Sequence, residues 1–474
     1  MHRGWQLLIT TAAALATTTA ASAQLPLRDA LRLADEAAFP NRVAAGNTTA
    51  QRGEALAPLR GLLPSLRFDA GYVRTTDPIS TFGLTLQQRG ITTADFEPQR
   101  LNFPDAVGNY SAGIVLEQPL FNADAWAGRR AARIAVDATA AQQAWTRLST
   151  HTDVIRAYYG AVLAAERATT LESAARAAHA HVAQARSMVR NGLVTKSDAL
   201  LADVRAGDVD ARLVEARGDA ESARRQLEVA LGQDPAGDPA LPRTLPGAAR
   251  IAAVVAPDTA LRAPANRADV DAAQRSLDAA RANSLRARST YLPRVNGFAR
   301  YDWNSAARPY GGDKNWTVGV MASWSVFAGG RTLSDIQATA GRESGARAQA
   351  DAAAASARLE AARSRTALQV ALARLEIAER AVAQSAEAHR IVGRQYEGGL
   401  ATIAELLDAQ AADVESSLGL SQARFTAIVA AAERRQALGL DPGSLAVLDD
   451  VSSTSGSGDA AGYPRPGDTL RTPR

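Results

Sequence analysis

Two carboxylates three positions apart, Glu405 and Asp408, are the clearest candidates for chemistry in this sequence. A helix brings residues three positions apart onto one face, so the two acids would form a single negatively charged patch. Acidic side chains are also common near the amino terminus of any helix, because the helix dipole stabilises negative charge there. The spacing therefore indicates an electrostatic role, with ordinary helix stabilisation as the alternative.

Histidine offers little support for catalysis. Outside the amino-terminal leader the chain has His151, His179, His181 and His389, and the pair at 179 and 181 is too closely spaced to share a helical face. The sequence contains no glycine-rich phosphate loop, nucleophile elbow or spaced set of metal ligands. We therefore predict a protein that is not an enzyme, with no cofactor and no metal, whose histidines are solvated or packed on helices.

The first 23 residues have the pattern of an export signal. Arg3 supplies positive charge, residues 7–15 are mostly apolar, and Ala21-Ser22-Ala23 provides a cleavage site of small residues. A buried amino-terminal helix is the alternative. The chain has no cysteine, which excludes disulfides, thiolate metal sites and a lipid-modified cysteine. Basic and acidic residues are interspersed without a basic block, so no nucleic-acid partner is expected.

The elements that would position Glu405 and Asp408 belong to a unit that occurs twice. A short turn at Gly192 returns at Gly399, an offset of 207 (399 − 192), and the Leu-Gly pairs that end at Gly232 and Gly439 keep this offset (439 − 232). Constant offsets over such a distance indicate an internal duplication. We predict a first repeat over about 40–232, a second over about 264–439, an irregular connector over 233–263 and a flexible tail over 440–474.

Each repeat contains two segments with the alternation of a β-strand, at about 65–75, 109–121, 294–304 and 315–327. The fourth is the clearest, and its apolar side carries Trp316, Val318, Val320, Ala322, Trp324 and Val326. Half of a soluble sheet is one interpretation. Aromatic residues at the ends of the apolar stripe and polar residues on the opposite face favour a membrane β-barrel. The loop after the first strand is about 23 residues longer than its counterpart (229 − 206).

Each repeat continues into a very long helix and a shorter returning one. The regions 124–190 and 331–397 contain no proline and are rich in alanine, so each predicts a helix of about 100 Å. The glycine turns follow, and Thr195 and Thr402 are suitable caps for the returning helices, with Asp198 and Glu405 in the capping-box position. The predicted fold is therefore mainly α, with a small membrane β-barrel portion.

The order of these motifs resembles that of the TolC-like outer membrane efflux proteins. The resemblance extends over about 25–439. It is carried by the Leu-Pro pairs before the first strand of each repeat, by Gln118-Pro119-Leu120-Phe121, by Trp324-Ser325-Val326-Phe327, by the paired Gly-Leu-x-Thr turns and by Asn266-Arg267-Ala268-Asp269-Val270. No single motif is decisive, but their order and duplication are specific.

The resemblance implies a homotrimer. Each of three chains would give four strands to one 12-stranded β-barrel in the outer membrane lipids, continued by a long periplasmic α-helical barrel. The resemblance also implies two partners, a periplasmic adaptor and an inner-membrane pump. The adaptor would dock on the turns, at Gly192, Leu193, Thr195, Gly399, Leu400 and Thr402.

The resemblance further implies a gate at the same end. Glu405 and Asp408 match an acidic ring of the family, which in a trimer would hold six carboxylates, attract cations and disfavour anions. Asp198 and Tyr396 match residues that hold the tip closed. The family's basic partner after the second turn is replaced here by Ala401.

The leading hypothesis is thus a passive exit duct for substrates exported by a pump, located in the cell outer membrane with a periplasmic helical extension. A periplasmic coiled-coil scaffold without a pore is the alternative. It explains the long helices but not the four strands. The sequence does not identify the cargo, because the pump and the adaptor would choose it.

Overall fold

The computed structural model describes residues 24–237, 239–262, 267–309 and 311–449. The predicted export signal over 1–23 and residues 450–474 of the predicted tail lie outside the described residues. The helices, in chain order, are α1 (Leu27–Ala37), α2 (Phe39–Glu54), α3 (Pro78–Gln87), α4 (Pro98–Asn102), α5 (Ala123–Arg190), α6 (Lys196–Ala230), α7 (Ala248–Val255), α8 (Ala268–Ser289), α9 (Arg331–Glu397) and α10 (Ile403–Ala437). The strands are β1 (Ser65–Thr75), β2 (Val107–Phe121), β3 (Arg294–Ser305) and β4 (Asp313–Ser323).

Two long helical hairpins make up most of the molecule. Helix α5 has 68 residues and returns through α6, while α9 has 67 residues and returns through α10, each of 35 residues. Alanine dominates their contact surfaces, and small side chains let helices approach closely along their length. Because helix propensity is local and proline is missing from these segments, the sequence-based bounds agree with the structure to within two residues.

The four strands form one antiparallel sheet in the order β1-β2-β3-β4. The hairpins β1-β2 and β3-β4 belong to the first and second repeats, and the pairing of β2 with β3 joins the repeats, with Tyr110 opposite Ser305. Strands β1 and β4 each pair on one side only. The sheet therefore has two free edges within the chain.

The fourth strand ends four residues earlier than the sequence suggests (327 − 323). Trp324 and Val326 of the predicted apolar stripe therefore lie beyond β4, and the indole nitrogen of Trp324 donates a hydrogen bond to the carbonyl of Tyr291, 2.9 Å away. Gly329 and Gly330 then adopt φ angles of 60° and 84°, which are accessible to glycine, and α9 begins directly afterwards.

Three segments expected to be irregular contain regular structure. The loop between β1 and β2 includes α3 and α4, and the connector over 233–263 includes α7. Residues 440–449, assigned to the flexible tail, instead contain a 3-10 helix over Pro442–Leu448. Its Leu445 and Leu448 are fully buried, because they complete the apolar core against α1, α5 and α7.

The main core lies at mid-length of the long helices. Its largest fully buried side chains include Ile155, Tyr158 and Tyr159 of α5 and Leu368 and Leu375 of α9. The hydroxyl of Tyr158 donates to the carbonyl of Leu25 at 2.8 Å, which ties the segment before α1 to this core. Among the described residues, none of the helices combines the length and the apolar character needed to cross a membrane.

Candidate functional site

Both helical hairpins end in the same turn geometry. Gly192 and Gly399 have φ angles of 72° and 71°, and each follows the last residues of a long helix. The next residue of each turn donates its backbone N–H back into that helix, from Leu193 to Met188 O at 2.9 Å and from Leu400 to Gln395 O at 2.7 Å. This is the Schellman pattern, which requires a left-handed residue where these glycines stand.

The predicted capping boxes are confirmed in both turns. Thr195 accepts from the backbone N–H of Asp198, and the Asp198 carboxylate accepts from the backbone N–H of Thr195 at 2.9 Å. Thr402 and Glu405 repeat the arrangement, with the Thr402 N–H 2.7 Å from Glu405 Oε2. These backbone and side-chain hydrogen bonds from Thr402 lower the pKa of Glu405, so this carboxylate stays ionised at neutral pH.

Each turn presents one large apolar side chain to the solvent. Leu193 is 69% exposed and Leu400 is 85% exposed. Directly behind them lies a compact cluster from all four long helices, which includes Val182, Ala202, Tyr396, Ile403 and Leu406. The packed cluster thus holds both turns in place, and the leucine at the tip of each turn is exposed to the solvent.

Tyr396 is buried in this cluster. Its hydroxyl donates to the sulfur of Met188 at 3.3 Å, and burial together with the negative charge of Asp198 raises its pKa. The Asp198 carboxylate is engaged by Thr195. The structure therefore brings Tyr396 and Asp198 to the same end of the molecule without joining them.

Asp408 has a basic neighbour that the sequence analysis missed. Arg205 of α6 lies with Nη2 3.8 Å from Asp408 Oδ1, and both side chains are more than half exposed. Ala401 stands where the family resemblance implied a basic residue, and it packs against the tip cluster. Position 205 lies in the other repeat, so spacing along the second repeat gave no signal for this contact.

The sheet has two chemically different faces, which the strand register fixes. On one face, Tyr72 pairs with Tyr110, Phe68 with Ile114, and Tyr301 with Trp316. The opposite face carries two ion pairs, each between residues two positions apart in one strand. Arg67 pairs with Asp69 at 2.9 Å in β1, and Arg300 pairs with Asp302 at 2.7 Å in β3. The predicted alternation is therefore confirmed in its main features, although Val73, Val115, Phe298 and Met321 lie on the polar side.

The histidines lie apart from the tip carboxylates in different surroundings. His179 Nε2 is 3.0 Å from Asp210 and His389 Nδ1 is 3.3 Å from Asp413, both between a long helix and its return. His151 is buried between Asp35 and Asp441. Within 24–449, apart from the few residues not described, no group of three or more potential ligands is arranged to hold a metal ion.

The fold is similar to that of several solved outer membrane proteins. VceC from Vibrio cholerae aligns with a TM-score of 0.70 and 20% identity, over 87% of this chain and 96% of that one. CmeC from Campylobacter jejuni gives 0.71 and 15%, over 87% and 85%. MtrE from Neisseria gonorrhoeae, solved in an open state, gives 0.69 and 19%, over 88% and 90%. A search of curated proteins finds no match.

A family model described as outer membrane efflux protein matches residues 41–233 and 261–440. These bounds differ by at most three residues from the two repeats that the sequence predicts. Because the match covers both repeats and most of the chain, the chain belongs to the outer membrane efflux protein family.

Proposed function

We propose that three copies of this chain assemble into one exit duct, with a 12-stranded barrel in the outer membrane and a helical tunnel in the periplasm. Membership of the family makes the chain an outer membrane efflux channel and a transport protein, and the family is one of channels and not of enzymes. The number of copies, the closed barrel and the roles of single residues are the proposal.

The sheet supplies the strongest support. One face is apolar and exposed, with Phe68 at 64%, Trp316 at 73% and Val318 at 68% exposure, as a surface that meets lipid requires. The other face carries the ion pairs of Arg67 with Asp69 and of Arg300 with Asp302, which suit a surface that lines water. The free edges of β1 and β4 leave backbone groups without partners, which hydrocarbon does not tolerate, so the edges must meet those of other copies.

This proposal predicts ion conduction. Detergent-purified protein added to a planar bilayer should give stable single-channel currents, and its mass in detergent should be that of three chains. A scaffold without a pore would leave membranes with carbonate or urea washing and would give no current. Recovery of the protein in the soluble fraction, or a silent bilayer, would contradict the duct.

The turns are proposed to dock the adaptor of an inner-membrane pump, through Gly192, Leu193, Thr195, Gly399, Leu400 and Thr402. An exposed leucine on a rigid, glycine-capped turn is an apolar anchor that loses little conformational entropy on binding. The glycines and threonines hold the turn, and Leu193 and Leu400 make the contact. A trimer would offer six such anchors.

The gate is proposed to consist of Glu405, Asp408, Asp198 and Tyr396, with Arg205 added by the structure. Three copies of Glu405 and Asp408 around a narrow neck would concentrate negative charge and bind cations. Arg205 neutralises part of the Asp408 charge within one chain. Opening would then separate Asp408 from Arg205 or move the acids apart.

Removal of the gate charge should relax the block of single-channel current by divalent cations. Glu405→Gln and Asp408→Asn are preferred to alanine, because glutamine at the third helical position preserves the capping box that Glu405 forms with Thr402. Asp210→Asn, on an exposed carboxylate paired with His179, is the control. A block that is equal in the double variant and in the control would remove these acids from the gate.

A further inference from the structure

The long segment between β1 and β2 is a structured unit. It contains α3, which Asp77 caps by accepting from the backbone N–H of Ser80 at 2.8 Å. A second capping box, between Thr92 and Asp95, orders the middle of the segment. Its two parts meet through Phe82 and Phe96, whose ring centroids are 5.8 Å apart. The segment therefore has a defined shape and a defined position.

A chain of amide hydrogen bonds fixes that position on the sheet. Gln88 Nε2 donates to the carbonyl of Gly108 at 2.9 Å and to Asn109 Oδ1 at 2.8 Å. Asn109 Nδ2 then donates to Asn304 Oδ1 at 2.8 Å, which reaches β3. Asn109 and Asn304 are only 2% and 6% exposed, so the segment covers both amides.

Arg89 extends the same attachment to the far strand. Its Nη2 donates to the carbonyl of Lys314 at 3.3 Å, and its Nε lies 3.6 Å from Asp313 Oδ1. Arg89 is the one non-glycine residue with a positive φ, 49°, among the described residues. Such a backbone is unfavourable for a residue with a side chain, so the contacts of Gln88 and Arg89 must hold it in place.

The three side chains of the sheet that take part in this attachment, Asn109, Asn304 and Asp313, lie on the polar face. Asn304 pairs with Asp313 on one side and with Ser111 on the other, and Asn109 shares the side of Ser111 in β2. Arg300 and Asp302 lie on that same side of β3. The segment thus bends over the face that carries the ion pairs, away from the exposed aromatic face.

We propose that residues 76–106 form an inward-folded lid that restricts the outer mouth of the duct, with Gln88 and Arg89 as its latch. The inference rests on the proposed barrel, in which the polar face lines the water path. Three copies would narrow the mouth to a size limit that is independent of the periplasmic gate. Large solutes would pass only when the latch opens.

The absence of cysteine from the sequence makes the lid directly testable. Thr317→Cys provides a single thiol on the exposed polar side of β4, opposite Arg300 and further into the sheet than the latch. Intact cells are treated with a small charged methanethiosulfonate or with a bulky polyethylene-glycol maleimide. The reaction rate of the thiol with each reagent is measured in three proteins. These are the protein with the latch intact, the latch variant that combines Gln88→Ala with Arg89→Gly, and the control variant Gln87→Ala.

Loss of the latch should raise the rate of the bulky reagent about tenfold, because two or more hydrogen bonds that hold the lid are removed. The small reagent should react at the same rate in all three proteins, and the latch variant should keep the mass of three chains in detergent, which reports that it is assembled. Equal bulky-reagent rates in the latch variant and the control would overturn the lid alone. A thiol that does not react with the small reagent in any protein would overturn the barrel as well.

Discussion

Gly232→Ala is expected to destabilise the protein more than a glycine-to-alanine substitution at any other turn described above. Gly232 ends α6 with a φ of 76°, and a Cβ there would lie 2.1 Å from the carbonyl oxygen and 2.4 Å from the carbonyl carbon of Ala37. Backbone atoms at the junction of α1 and α2 would have to move. A left-handed alanine alone costs about 1–2 kcal/mol, and the clash should bring the total to about 4 kcal/mol or more.

Gly439 provides the matched control for this prediction. It holds the equivalent place in the second repeat with a φ of 72°, but a Cβ there would lie 3.2 Å from Cγ of Arg267 and no closer than 3.5 Å to a backbone atom. Gly439→Ala should therefore show mainly the cost of the left-handed backbone. The measurement is the temperature at which detergent-purified protein loses its helical circular dichroism, at one scan rate because unfolding of such proteins is often irreversible. Equal losses for the two variants would contradict the proposed clash.

Glutamine in place of His151 is expected to give the second large effect, and this effect should depend on pH. His151 is 4% exposed, with Nε2 2.9 Å from Asp35 Oδ1 and Nδ1 2.7 Å from Asp441 Oδ1. Both nitrogens can donate only when the ring is protonated. The imidazolium thus joins α1, α5 and the segment before the carboxy-terminal 3-10 helix.

The surrounding charges determine the direction of the pH dependence. Burial opposes the charged form of His151, but hydrogen bonds and attraction from Asp441 and Asp35 outweigh it and raise its pKa above the usual 6.5. Arg147 also donates to Asp35, with its Nε 2.7 Å from Oδ1, the same oxygen that faces His151 Nε2. A raised pKa in the folded state means that the stabilisation is complete below 6.5 and is lost as the pH rises through the folded value.

The carboxylates of Asp35 and Asp441 determine how far the pH can fall before the stabilisation by this cluster is lost. Hydrogen bonds from His151, and for Asp35 also from Arg147, lower the pKa values of Asp35 and Asp441 below 3.8 in spite of their partial burial. Their contribution is therefore present above pH 3.8 and is lost as the pH falls through the lower folded values. Stabilisation by this cluster should be greatest between the two limits.

His151→Gln should accordingly cost about 2 kcal/mol in mildly acidic buffer, the usual range for hydrogen bonds to charged groups, and less in alkaline buffer. Thermal midpoints of the wild type and the variant are compared across a pH series. His179→Gln is the control, since that side chain is 58% exposed and faces a single carboxylate. A midpoint difference that stays constant with pH would show that the loss is one of packing and not of charge.

The sequence predicted what is local in this fold. The turns at Gly192 and Gly399, their capping boxes and the long helices depend on residues within four positions of one another, so their patterns were readable. The strand faces were equally readable, because alternation fixes them once the register is set. The duplication then placed the second copy of each element.

Contacts between distant segments could not be predicted in the same way. Arg205 and Asp408 are 203 positions apart (408 − 205), and no periodicity links them. The same holds for Gln88 with Asn109 and Asn304, which depend on how a long loop bends over the sheet. The burial of Leu445 and Leu448 was not predicted, because the composition of the region after residue 439 indicated a flexible tail. The core residues that they contact lie far earlier in the chain.

The pairing of β2 with β3 has a consequence for the order in which the molecule folds. The β1-β2 hairpin can form as soon as residues up to 121 are available, but the partner of β2, starting at Arg294, is made much later. While the intervening helices are synthesised and exported, the β1-β2 hairpin exposes its apolar face, and the edge of β2 that later pairs with β3 has no hydrogen-bond partner. Pairings this remote form slowly and expose a nascent chain to aggregation. The sheet of this chain can therefore be completed only after the second repeat has been made.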